Sequence, residues 1–234
     1  PNDLIPSQGR QSILGSISHE LTPSLKLSAD ASFSTRKTVQ NTRNNIATFI
    51  GNSEANSDNL NLGFGAEWKV SDNWYVDFAG SYSSVSSDTE NAGVVDISSD
   101  IESDLWSADV IASGPIFSLP AGNVSVAVGT HFRTEDFTSE VVQSVTFNRE
   151  ADRDVYAVFG EILVPVVSPE QKVPGIHRLE VNLSGRMEDY SDFGSASDPK
   201  VGIVWAPTEP LRLRGTYNTS FKPPSLGRVG AGDL

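Results

Sequence analysis

Few residues of this 234-residue chain are of a type that does chemistry, and they are scattered. His19, His131 and His177 lie far apart, and there is no cysteine, so thiol catalysis, disulfides and Cys-ligated zinc are excluded. No Gly-x-Ser-x-Gly, His-Glu-x-x-His or phosphate-binding loop occurs. The reading assigns no catalytic residue, metal or cofactor, and the chain is not expected to be an enzyme. His131 and Asp136 are the only acid–base pair close together in sequence at a plausible rim. The remaining polar candidates are charges set among apolar neighbours: Glu161, Arg178, Arg186, Arg212, Arg214 and Lys222. Glu161 interrupts the apolar run Val155 to Val167, and a buried carboxylate needs a counter-charge or donors. Each of these charges has a plainer role as part of a ladder that keeps one strand face wet.

Two polar stretches could also hold a ligand. Residues 38–57 carry Asn41, Asn44, Asn45, Asn52 and Asn56, a set able to hydrogen-bond sugars or another polar solute. Residues 87–101 carry Asp88, Glu90, Asp96 and Asp100, oxygen ligands of the kind hard cations take, but not at EF-hand spacing. A solvated loop explains either stretch at least as well.

The elements that position these residues are strands. Leu25, Leu27, Ala29, Ala31 and Phe33 alternate with Lys26, Ser28, Asp30, Ser32 and Ser34, and Leu211, Leu213, Gly215 and Tyr217 alternate with Arg212, Arg214, Thr216 and Asn218. A strand sends successive side chains to opposite faces, so each stretch has one apolar and one charged face. About ten strands are expected, at 11–21, 24–37, 58–70, 74–86, 102–117, 123–135, 152–166, 176–190, 199–206 and 211–221. Many reach the roughly 9–11 residues that a tilted strand needs to cross a bilayer. No run reaches the roughly 18–20 apolar residues of a spanning helix.

The connections alternate between tight turns (22–24, 71–73, 120–122 and 207–210, with a longer Pro-rich member at 168–175) and long polar stretches (38–57, 87–101, 136–151 and 191–198). Short turns at one rim and long loops at the other are the pattern of a transmembrane β-barrel. Trp68, Trp74 and Trp205 fall at the tight-turn rim, where an aromatic girdle would sit. A net charge of −13 argues against nucleic-acid binding. With Pro1 and no basic or apolar leader at the start, the chain reads as an excerpt of a longer protein.

Three stretches resemble the barrel of TonB-dependent outer-membrane receptors. Residues 199–226 resemble their mid-barrel hairpin, with Pro199-Lys200, Gly202, Leu211-Arg212, Arg214, Tyr217, Phe221, Pro224 and Leu226 in place. Val155 to Pro165 is similar to a second strand of that family, and Leu4-Ile5-Pro6 with Arg10 and the 13–36 hairpin looks like an early one. The resemblance implies an all-β, antiparallel transmembrane barrel, of which residues 1–234 would be about ten meandering strands out of 22. It implies a partial domain, lacking a plug, a signal peptide and a closing strand. It further implies TonB-energised uptake of a scarce solute (siderophore, cobalamin or oligosaccharide) across the outer membrane of a Gram-negative bacterium. The partners would be outer-membrane lipid, a plug domain, TonB and that solute. The candidate charges would then face plug or solute in the lumen. Two other readings stay open: a closed ten-stranded omptin-like outer-membrane protease, needing clustered Asp and His at the rim, and a soluble β-sandwich binding module, needing two sheets dense in Val, Ile and Leu. Glu161→Leu in the full-length protein is expected to weaken barrel folding or plug contact; unchanged heat stability together with unchanged uptake counts against this.

Overall fold

The computed structural model describes residues 5–43, 50–93 and 96–229. Ten strands form one antiparallel sheet in which every strand pairs with its sequence neighbours. They are β1 (Ser7–Thr22), β2 (Leu25–Arg43), β3 (Ile50–Lys69), β4 (Tyr75–Ala92), β5 (Ile97–Leu119), β6 (Gly122–Val142), β7 (Thr146–Val167), β8 (Arg178–Tyr190), β9 (Gly194–Thr208) and β10 (Leu211–Asn218). A 3-10 turn, Pro169–Gln171, lies between β7 and β8, and a short helix α1 (Leu226–Val229) follows β10. The tight turns fall where the sequence places them. Among the described residues, no helix is long and apolar enough to cross a membrane, which leaves crossing by strands open.

The long polar connections are a correction. Most of 38–57, 87–101 and 136–151 is not loop but continued ladder, with Asn41 opposite Asn52, Asp88 opposite Asp100 and Glu140 opposite Asn148. Polar, Ser- and Asn-rich stretches pair as strands here because each edge is already templated by the ladder below it. The 191–198 stretch shortens to a turn at 191–193 before β9. Asn44 and Asn45 lie outside the described residues.

Cross-strand register carries the column parity through the sheet. Lys26 faces Glu67, Glu67 faces Asp77, and the same row runs through Ile111, Gly129, Phe159, Arg186 and Asp198. This is the polar face. The opposite face is apolar near the tight turns and then changes abruptly. Leu60 gives way to Asp58, Asn56 and Glu54 on β3, and Tyr82 to Ser84, Ser86 and Asp88 on β4. Trp106 gives way to Asp104, Glu102 and Asp100 on β5, and Phe132 to Thr134 and Asp136 on β6. Tyr156 gives way to Asp154, Asp152 and Glu150 on β7, and Met187 to Asp189 on β8.

The apolar band therefore ends at one level on six adjacent strands. Aromatic rings mark that level: Tyr82 and Trp106 have ring centroids 4.3 Å apart, and Phe132 and Tyr156 4.9 Å. At the tight-turn end stand Trp68, Trp205 and Trp74, whose ring lies over Gly114 where any Cβ would come within about 2.5 Å. The band thus has an aromatic border at each end, the second one unread in the sequence. About ten residues of strand at ~3.3 Å rise, tilted, span the ~25 Å apolar height of an outer-membrane wall.

The sheet has almost no packed core. Among the described residues, only Val124, Val155, Ala157, Tyr190, Ala206 and Leu226 are buried apolar residues, whereas Phe64, Trp106 and Met187 are more than half exposed. An apolar face this extensive is not tolerated in water. A single sheet also excludes the β-sandwich. Strands β1 and β10 pair on one side only, so the sheet does not close on itself, which removes the ten-stranded closed barrel. An arginine at Phe64, in the middle of the apolar band, is expected to destabilise the folded wall in bilayers by about 2–4 kcal/mol. Asn61→Arg, on the polar face of the same strand, should cost under about 0.5 kcal/mol. Urea unfolding of the two variants in vesicles checks the difference; equal losses would mean that the faces are misassigned.

Candidate functional site: the polar wall

The polar face of β7 to β10 gathers the predicted charges into two zones. Near the tight turns, Glu161, Glu180, Asn182, Lys200, Gly202 and Arg214 line a concavity of about 360 Å³. Gly202 and Ser184, with no long side chains, leave the gap between the flanking charges. Asn182 Nδ2 donates to Glu161 Oε1 at 2.6 Å. Glu161 is solvent-exposed, not buried as its apolar neighbours suggest, because those neighbours belong to the other face. The strand is apolar on alternate positions and mixed on the rest, and the run Val155 to Val167 hides that alternation. Arg178 lies 3.7 Å from Glu180 at the rim. Among the described residues, the side chains of Lys200, Arg212, Arg214 and Lys222 make no hydrogen bond or ion pair. The structure thus brings Glu161 and Arg214 to one trough and leaves Arg178 at its edge.

Further from the tight turns, Arg186 donates from Nε to Glu188 Oε1 at 2.7 Å, and its guanidinium lies 5.5 Å from the Phe159 ring centroid. Phe159 in turn covers Gly129, where a Cβ would approach the ring to 2.5 Å. Above this row sits a cluster the sequence reading missed. Arg153 is only 2% exposed. It donates to Asp192 Oδ2 from Nε at 2.9 Å and from Nη2 at 2.6 Å, and lies 3.7 Å from Glu135. Arg133 pairs with the same Glu135, and Tyr190 donates to Glu188. The guanidinium of Arg153 also lies 5.3 Å from the Phe193 ring and 6.0 Å from that of Tyr190. Parity alone puts Arg153 on the polar face; its burial comes from residues 39 and 71 positions away in sequence.

The suggested acid–base pair is not formed. His131 Nδ1 is 2.8 Å from Asp109 Oδ1 on the polar face. Asp136 has the opposite parity and stands in the acidic columns beside Asp104 and Asp152. An odd separation in a strand puts two side chains on opposite faces, so closeness in sequence misleads here. Among the described residues, no three carboxylates or histidines converge to hold a metal ion, the 87–101 acids included.

Those acids form a like-charged ladder instead. Loss of hydration, then the facing Asp100 and the nearby Asp58, push the Asp88 carboxyl above its ordinary value. Glu54 is held below its ordinary value chiefly by its hydrogen bond from Lys37.

The comparisons with known proteins agree with this geometry. The family model "TonB dependent receptor-like, beta-barrel" matches residues 9–233. The chain belongs to that family, the β-barrel of TonB-dependent receptors. The RagAB peptide transporter matches with a TM-score of 0.66 at 10% identity, over 86% of this chain and 30% of that one. The RagAB peptide importer in its "open-open" state matches with a TM-score of 0.59 at 10% identity, over the same shares. The chain therefore spans about 30% of the length of these two RagAB structures. No curated protein matches the sequence.

A raised carboxylate pKa means that folding is opposed once the group ionises. The stabilising protonated form of Asp88 is fully present below the ordinary aspartate value and is lost as pH rises through the raised one. Asp100→Asn should therefore raise heat stability at neutral pH in low salt. The gain should fade as pH falls through the carboxylate range, and in about 1 M salt, where the Debye length is ~3 Å. Heat-modifiable gel mobility across pH reads this directly.

Proposed function

We propose that this chain is a wall segment of a TonB-energised outer-membrane importer in a Gram-negative cell. In this reading the apolar band meets lipid and the polar face lines the lumen, where the plug docks and the solute passes. The observation that carries it is the single register that keeps Lys26, Glu67, Asp77, Arg186, Lys200 and Arg214 on one face and every band residue on the other. The unpaired outer edges of β1 and β10 point the same way. At bilayer depth a free ladder edge is prohibitive, so further strands of the same wall must pair with both.

The trough around Glu161, Asn182, Lys200 and Arg214 is the plug contact in this reading, since it lies in the half of the wall nearer the tight turns. It carries an exposed hydrogen-bonded carboxylate on one side and two unpaired cations on the other, so it suits a polar, mixed-charge protein surface. Arg178, Arg186, Arg212 and Lys222 are the further lumen contacts. RagAB is a peptide transporter, but likeness at 10% identity carries the fold alone. Siderophore, cobalamin and oligosaccharide remain equivalent as solutes on this wall.

A photo-crosslinking amino acid at Lys200 of the intact receptor, activated in cells, is expected to tether the wall to the receptor's own plug. The same probe at Ile203, on the apolar face, should capture lipid only. Lipid capture from position 200 would overturn the assignment of faces, and capture of neither would remove the plug contact.

A further inference from the structure

We propose that residues 219–229 are a strap that Arg153 clasps to the lumen wall, and that this clasp holds Lys222 over the lumen. The role given to Lys222 rests on the lumen reading above; the clasp does not.

The chain leaves β10 at Asn218 and turns back across the polar face. Thr219 N donates to Pro199 O at 3.2 Å, and Thr219 Oγ1 and Phe221 N donate to the Asp198 carboxylate at 3.4 and 3.3 Å. The Phe221 ring lies 5.3 Å from that of Phe193 and 6.2 Å from that of Tyr190. Pro224 O then accepts from Arg153 Nη2 at 3.1 Å, and Gly227 O accepts from Arg149 Nη1 at 2.6 Å. Gly227 lies against Phe137, so the strap crosses β9, β8 and β7 and ends over β6.

Apolar burial holds this strap weakly. Leu226 is its one buried apolar side chain among the described residues, while Phe221 and its neighbour Phe193 both stay partly exposed. The strong element is a charge-assisted hydrogen bond at a buried guanidinium. Arg153 is preset for it: Asp192 accepts from Nε and Nη2, Glu135 balances the charge, and Nη2, which carries two hydrogens, donates to the strap carbonyl as well. If the strap lifts, Arg153 keeps both carboxylates and trades one carbonyl for water. That makes release reversible without stranding a buried charge. Lys222 and Arg228 ride on the strap, and Lys222 is exposed with no hydrogen bond or ion pair among the described residues. Lys222 thus sits between the Asp198 anchor at Phe221 and the Arg153 clasp at Pro224, and the clasp fixes the strap on its far side.

These 234 residues hold no cysteine, so the test needs only that any cysteine elsewhere in the receptor be replaced first. In the intact receptor on cells, single Leu226→Cys and Ser225→Cys variants are treated with a membrane-impermeant maleimide. Leu226→Cys should react at least tenfold more slowly than the exposed Ser225→Cys. Arg153→Ala should bring the two rates together, and Arg149→Ala should raise the Leu226→Cys rate less. A nitroxide attached through Lys222→Cys should be restricted with Arg153 present and mobile in Arg153→Ala, while the heat-resistant gel mobility of the barrel stays unchanged. Arg153→Lys, which keeps the charge but not the forked geometry, should restore part of the protection. If Arg153→Ala fails to assemble, Arg153→Lys alone should still speed Leu226→Cys labelling at least threefold. Labelling and mobility indifferent to Arg153 would overturn the clasp. Loss of the plug crosslink at Lys200 would leave the clasp standing, so the two ideas fail separately.

Discussion

Hydrocarbon cannot hydrogen-bond a peptide group or hydrate a charge, and everything in this sheet follows from that. Every backbone donor and acceptor at bilayer depth must find its partner in a neighbouring strand. The pleat then leaves only alternate side chains for lipid. A one-residue slip anywhere would carry Lys26, Glu67 and Asp77 onto the apolar face, so register is strongly specified across the band. The same demand explains why the buried core is so small: the molecule is organised around an outside that is greasy, not an inside. Small residues on the apolar columns, such as Ala29, Ala31, Gly80 and Ala112, fit this arrangement, since lipid fills the surface that a neighbouring sheet would otherwise have to match.

Charge is distributed by height as well as by face. Within the band, the carboxylates, lysines and arginines occupy the polar face, while His19 stands beside Leu27 on the apolar one. Above it the outward columns turn acidic on β3 to β8, from Asp58 through Asp189. Much of the negative net charge therefore stands on strand extensions beyond the band, while Arg133, Arg153, Arg186 and Arg214 stand on the polar face. The extensions remain paired although their composition is that of loops, because each residue added to an existing ladder gains its hydrogen bonds without a new nucleation cost. Their like-charged rows, Asp88 with Asp100 above all, are tolerated since both faces there meet water.

The polar wall combines two kinds of electrostatics. In the trough, Glu161 and Asn182 satisfy each other while the side chains of Lys200 and Arg214 have no partner among the described residues. In the cluster above it, Arg153 is satisfied by groups from β6, the β8–β9 turn and the segment after β10. The first arrangement is open and exchangeable; the second ties distant parts of the wall together and gives the post-β10 segment its place.

The alternation of residues such as Leu25 to Ser34 and Leu211 to Asn218 determined the strands, their faces and the polar side of Glu161, Arg178, Arg186, Arg212 and Arg214, because a pleat of period two is a local property. Turn residues such as Pro23 and Pro120 determined where the chain reverses. Tertiary structure alone decided what lies opposite what. Polar stretches became paired strands, since a ladder stabilises residues whose own propensity says loop. His131 met Asp109 rather than Asp136, since register and not sequence distance sets neighbours. Arg153 became the most buried charge, since Asp192 and Pro224 arrive from far along the chain. Local pattern chooses a side chain's face; only the folded sheet chooses its partners.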